Sequence, residues 1–319
     1  MIFNLLLDLL NLRQRSIRQD FDRRIQRQLN ALGKLSAISL SLERRKGRKA
    51  YERLLAQDSE FYVLHRGAAI AATWLSAISV SILNDISLRD TDIDGTPDTE
   101  QTVALAFFSR LANDLWAIIE LVERGFDIQA RGLSRSFLEH VDVLICCIHD
   151  LELTEKFADT IEPEQANQFW HKHISKNKMK RRVAELVNNR MGLAGSNIVD
   201  SLRAPAEIAG STILHPTMLA GLAAAFGGED VEYQTYPIFP RPMIASGGIY
   251  RTVLIHLFWL FLLMGPLPKE PHGAWNSIIK NRDIKRNRML SELLRINQDM
   301  HGFMLEWHVT MKPMDAKIP

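Results

Sequence analysis

The chain reads as an all-α protein, and three observations predict it. Apolar residues recur every three or four positions through most of its length, the breaks between these runs carry Gly, Pro or Asp, and no convincing strand series appears. At 319 residues the chain is long enough to bury a substantial core in one large domain or two ordinary ones. The expected architecture is a multi-helix array or bundle with a long, basic, amphipathic helix at its N-terminal end.

That first helix is predicted by Leu10, Ile17, Phe21, Ile25, Leu29 and Leu32, which keep to one helical face until Gly33. The other faces carry Arg13, Arg15, Arg18, Arg23, Arg24 and Arg27, and a second basic segment, ERRKGRKAYERLL, follows. Residues 1–56 are therefore taken as a basic helical arm and residues 57–319 as the main helical domain. Such an arm packs on a core, forms a homo-oligomer or receives a helical protein partner; contact with nucleic acid is the sharper alternative.

Further helices are expected at about 60–84, 102–124, 127–150, 151–161, 163–190, 197–214, 244–264 and 274–308. Between Gly227 and Pro242, Val231, Tyr233 and Thr235 alternate, but the prolines make this a loop with at most a short strand. The most apolar stretch, 253–264, is bounded by Arg251 and by Gly265-Pro266, too short for a membrane span. Residues 67–83 are uncharged but rich in Ala, Ser and Thr, as in a packed core helix. The opening MIFNLLLDLLNL lacks the basic start and cleavage site of a signal peptide. A cytoplasmic protein is expected, with membrane contact at most peripheral, through residues 1–12. The adjacent Cys146 and Cys147 are poorly placed to bridge each other, which fits a reducing compartment.

The net charge of +2 hides a segregation. Lys and Arg outnumber Asp and Glu by 13 to 5 over residues 1–56, are outnumbered 7 to 20 over 57–170, and lead by 19 to 12 over 171–319. Such blocks attract phosphates or dock on one another.

Four stretches carry residue types suited to chemistry. Asp90-Thr-Asp92-Ile-Asp94-Gly95 matches the start of an EF-hand calcium loop, in which alternating carboxylates surround a hard cation, so Asp90, Asp92 and Asp94 are candidate Ca2+ ligands. Pro97 and a Gln101 at the twelfth position depart from that pattern; a solvated acidic loop capping the next helix explains the same residues. On the helix 127–150, Arg131, Arg135 and Glu139 fall four apart on a segment otherwise rich in core residues, so they must be paired or line a cleft. At 203–216 the chain reads RAPAEIAGSTILHP, with Glu207, Ser211 and His215 again four apart. The segment HKHISKNKMKRR gathers two His and six basic residues, among them Lys178, Lys180, Arg181 and Arg182. His171 and His173, two apart, point to different faces of a helix and make a poor metal pair.

The stretch from Phe107 to Asp150, with RSFLE at 135–139, and the later Ser211-x-x-x-His215-Pro216 together resemble a family of bacterial all-helical proteins of unknown function. The resemblance covers about 105–220 and implies that Arg135, Glu139 and His215 lie near one another. It supplies no reaction, and Arg203-Ala204 stands where that family commonly has an aromatic. RSFLEH at 135–140 is also similar to the Arg-x4-to-6-His signature of the HEPN helical ribonucleases. That resemblance implies that Arg135 holds a scissile phosphate and His140 moves protons, usually across a dimer. Arg251–His256 and Arg295–His301 match the same spacing.

The functional expectation is a nucleic-acid-directed protein of defence or toxin type, in its sharpest form a metal-independent ribonuclease. Arg135, Glu139, His140 and His215 are its candidate catalytic residues. Arg131, Lys178, Lys180, Arg181 and Arg182 are its candidate nucleic-acid contacts. The alternative is a non-catalytic helical scaffold that binds a protein partner.

Overall fold

The computed structural model describes residues 37–89, 99–175, 177–191, 246–264 and 295–300, and the single positions 242, 292 and 302. Among them every regular element is helical, so the chain is all-α as its periodicity predicts. It divides into two compact units, Met1–Ala50 and Tyr51–Pro319. Helix α1 (Ala37–Gln57) runs through that boundary. In the first unit its Arg44, Arg45, Lys46, Arg48 and Lys49 are exposed and Gly47 is buried.

The second unit contains α2 (Ser59–Arg89), α3 (Thr99–Glu123), α4 (Asp127–Ile148), α5 (Leu151–Ala158), α6 (Pro163–Phe169), a π-turn (Trp170–Ile174), α7 (Lys178–Met191) and α8 (Gly247–Leu263). Helices α2, α3 and α4 pack in chain order, α8 lies against both α2 and α4, and α7 packs on α4. Spacing of three and four makes this core. On α2 it buries Phe61, Leu64, Ala68, Ala71, Leu75, Ile78 and Ile82; on α3, Phe108, Leu111, Leu115, Ile118 and Val122; on α4, Phe137, Val141 and Leu144. Trp74 is fully buried at its centre, so Trp74→Ala would cost about 3–5 kcal/mol. Where α2 crosses α8, a Cβ at Gly67 would come within 3.0 Å of Leu254 and 3.2 Å of the Met300 sulfur.

Two segments, Ser59–Asn84 and Thr99–Glu123, are long and apolar enough to cross a membrane, and most of each segment's apolar window is buried against other helices. The far end of the array is tied by hydrogen bonds. His149 Nε2–H donates to the Leu263 carbonyl at 2.7 Å, and Thr154 Oγ1–H donates to that of Cys147 at 2.7 Å.

The expected single helix at 163–190 is two helices. A capping box between Glu162 and Gln165, with Pro163 in the first turn, starts α6. The Ser175 N–H then bonds the Trp170 carbonyl at 2.8 Å, closing the wider π loop. Asn177 adopts a positive φ of 59°, a conformation Asn tolerates better than most residues, and ends the helical path before α7 restarts.

The arm at 1–36, the loop carrying Asp90, Asp92 and Asp94 with its Ca2+ reading, and the segment with Arg203, Ser211 and His215 lie outside the described residues. So do the expected helix 197–214 and most of 274–308, of which residues 295–300 are helical.

Candidate functional site

Helix α4 carries Arg135, Glu139 and His140, three of the four candidate catalytic residues, and turns His140 to a different side from the other two; the fourth, His215, lies outside the described residues. Arg135 Nε lies 3.5 Å from Glu139 Oε1, one turn on, with both side chains about half exposed. The pair is solvated at the surface. His140 follows Arg135 by five residues, and at 3.6 residues per turn the two side chains leave the helix about 140° apart. His140 turns instead toward α3: its Nδ1–H donates to the Ser136 carbonyl at 2.7 Å and its ring lies 6.4 Å from that of Phe107. Within one chain, Arg135 and His140 therefore do not address the same phosphate. Arg131 is half-buried one turn before Arg135 and interacts electrostatically with Asp127.

The basic segment behaves differently. The π-turn and the first two turns of α7 border an open hollow of about 260 Å3 lined by Lys172, His173, Lys178, Arg181, Arg182 and Glu185. Lys178, Arg181 and Arg182 recur at helical spacing and face it together, whereas Lys180 is absent from the lining. Two of the cations are held in place. Lys178 Nζ donates to the carbonyls of Lys172 at 2.6 Å and His171 at 3.1 Å, capping the π-turn that carries them. Arg182 donates to Asp150 Oδ2 at 2.8 Å. Asp150 is itself fixed, since its Oδ1 accepts the Leu153 N–H at 3.0 Å as the N-cap of α5. Burial pushes the Asp150 carboxyl up, but the Leu153 N–H and the Arg182 guanidinium together hold it below the usual range.

His173 stands at the back of the hollow, its ring 4.9 Å from Phe169. Burial against that ring and the charges of Lys172, Lys156, Arg182 and Lys178 hold its pKa below the ordinary 6.5. Trp170, at the start of the same π-turn but outside that lining, is 45% exposed, with His171 meeting its ring edge-on at 4.9 Å. The two histidines face different partners, as their spacing predicts.

No family model, curated protein or solved structure matches the chain. The chemistry has to be read from the side chains themselves.

A second cluster escaped the sequence reading. Where α1 ends, α2 begins, α3 turns into α4 and α8 starts, the Tyr51 hydroxyl donates to Glu123 Oε1 at 3.2 Å and lies 2.9 Å from His65 Nδ1. Ser246 Oγ–H donates to Asp127 Oδ2 at 2.6 Å. The rings of Tyr51, Phe61, Tyr250 and His65 close a circuit with neighbouring centroids 5.6–6.0 Å apart. Burial raises the carboxyls of Glu123 and Asp127 and lowers His65. Asp127 Oδ1 is buried with no hydrogen-bond partner. The Tyr250 side chain is fully buried, and burial first, then the neighbouring Tyr51, Glu123 and Asp127, raise its pKa. No spacing within one helix announces this cluster, because its members come from five segments. The one available signal was polar residues at core positions, as with Asp127 at the head of an apolar helix.

The cysteines carry no reactive character. Both are buried, and burial raises Cys147 to about 12 and Cys146 further. Among the described residues no group of three His, Cys, Asp or Glu could hold a metal ion.

Proposed function

We propose that the protein binds single-stranded nucleic acid, with Trp170 as the stacking platform for a base and the hollow beside it as the phosphate site. The observation that carries this reading is the convergence of Lys172, Lys178, Arg181 and Arg182 with His173 around one hollow, on the π-turn that begins with an exposed tryptophan. Single strands are held by this combination of cations and an aromatic face, since every base has a π-surface and every linkage a charge. A π-turn and a residue at positive φ at this position fit a functional surface, because irregular backbone of this kind costs stability and concentrates at such sites.

A defence or toxin role would begin from this capture of nucleic acid. The partner-binding scaffold has no comparable grouping of side chains to support it among the described residues.

The test is fluorescence anisotropy of the full-length protein with a labelled single-stranded RNA of about 12 nucleotides, repeated with Trp170→Ala. Loss of one stacked base is worth about 1–3 kcal/mol, so affinity should fall roughly 5- to 150-fold. Absence of binding at low salt, or binding that Trp170→Ala and the double variant Lys172→Ala, Arg181→Ala leave unchanged, would overturn the proposal.

A further inference from the structure

We infer that the exposed basic face of α1, in the first unit, docks in the major groove of B-form duplex DNA. This surface is separate from the hollow and does not depend on how the hollow is read. From Arg44 to Lys49 the helix places five cations in six consecutive positions, and Arg44, Arg45, Lys46, Arg48 and Lys49 are all exposed. The sixth position, Gly47, is buried, and Ala50 is half-buried, so the inner side of this stretch carries only small residues.

At about 100° per residue the five cations spread over roughly 200° of the helix circumference. Arg44 and Arg48 fall on one flank, Lys46 on the other, and Arg45 and Lys49 between them. A helix lying on a flat anionic surface uses one stripe of cations, whereas a helix seated in a groove meets charge on both flanks. Being convex, the ridge encloses no small anion. An anionic bilayer would take up apolar side chains beside the cations, and every exposed position from 44 to 49 is Arg or Lys. The major groove of B-DNA, about 12 Å wide, admits a helix of about 10–12 Å diameter between two walls of phosphates. Charge density matches as well: the stretch rises about 7.5 Å, and the duplex presents a charge about every 1.7 Å, or roughly four to five over that length. The deep, narrow major groove of an RNA duplex does not admit the same helix.

The experiment titrates the full-length protein against a labelled DNA duplex of about 20 base pairs and an RNA duplex of the same sequence by fluorescence anisotropy, with sedimentation of phosphatidylserine–phosphatidylcholine vesicles alongside. The DNA duplex should bind at least roughly tenfold more tightly than the RNA duplex. In the triple variant Arg44→Gln, Lys46→Gln, Lys49→Gln, which keeps good helix formers at exposed positions, the slope of log affinity against log salt should become shallower by about 0.9 for each contact removed. Trp170→Ala should leave the DNA affinity within about twofold, so this inference and the reading of the hollow can fail separately. Equal binding of the two duplexes, capture by vesicles without binding of DNA, or an unchanged salt slope in the triple variant would each overturn the inference.

Discussion

The imidazole of His173 lies 4.9 Å from the ring of Phe169, tilted by 34°. Phe169 in turn meets Phe157 at 5.5 Å, and Phe157 stacks on Phe107 at 4.5 Å. One side of the hollow is therefore connected ring by ring to the core of α3.

The His173 imidazole should titrate below 6.5, followed by NMR of the ring protons, and should shift upward when a phosphorylated oligonucleotide is added. The sign follows from linkage. With its folded pKa depressed, the free protein loses stability as pH falls below 6.5 through that lower value, and a bound anion diminishes the loss.

Arg181→Ala should weaken RNA binding uniformly across sequences. The slope of log affinity against log salt should become shallower by about 0.7 for each single-strand phosphate contact removed. Because Arg181 is exposed, its thermal stability should stay within about 0.5 kcal/mol of the parent, measured by circular dichroism.

Arg135→Ala should also leave stability within about 0.5 kcal/mol, since the ion pair with Glu139 is exposed and one turn apart. A loss of several kcal/mol in a denaturant melt would mean that the pair is buried in solution by something that covers it. Cleavage of RNA through Arg135 and His140 calls for two chains, because the two side chains diverge in one. Light scattering on the full chain and on a chain lacking residues 1–33 should show the mass fall on deletion if the arm joins protomers.

Asp127→Asn should flatten the dependence of stability on pH. The Asp127 carboxyl is held above its ordinary value of 3.8 by burial, so the folded state binds its proton more tightly than the unfolded chain does. Stability is then lost as pH rises from about 4 through the folded value. The asparagine variant has no such proton to lose and should be more stable than the parent near neutrality, as urea melts across pH 4–8 would show.

Much of the fold was legible because helix periodicity and its breaks are local. Phe137, Val141 and Leu144 are core residues as their spacing requires, and Asp58 and Pro163 stand at breaks between helices. The interruption at 175–177 was missed because Ser175 and Asn177 are ordinary surface residues in a helix and become turn residues only when their side chains and backbone find other partners. The basic hollow was half legible. Lys178, Arg181 and Arg182 stood out as charges, but Trp170 lies one residue outside the basic run and Asp150 lies 32 positions away in sequence from the arginine it holds. The cluster of Tyr51, His65, Glu123 and Tyr250 was not legible at all, because long-range convergence leaves no trace in the spacing along any one helix.

Gly67 shows the opposite dependence. In the interior of a long helix, glycine is about 1 kcal/mol worse than alanine, so helix formation alone would not choose it. Its neighbours do: with the tips of Leu254 and Met300 at 3.0 and 3.2 Å from where a Cβ would stand, a methyl group there requires both side chains to give by a few tenths of an ångström. Position 67 thus acts as a spacer of zero thickness between two helices, at a contact one turn along from the buried Tyr250.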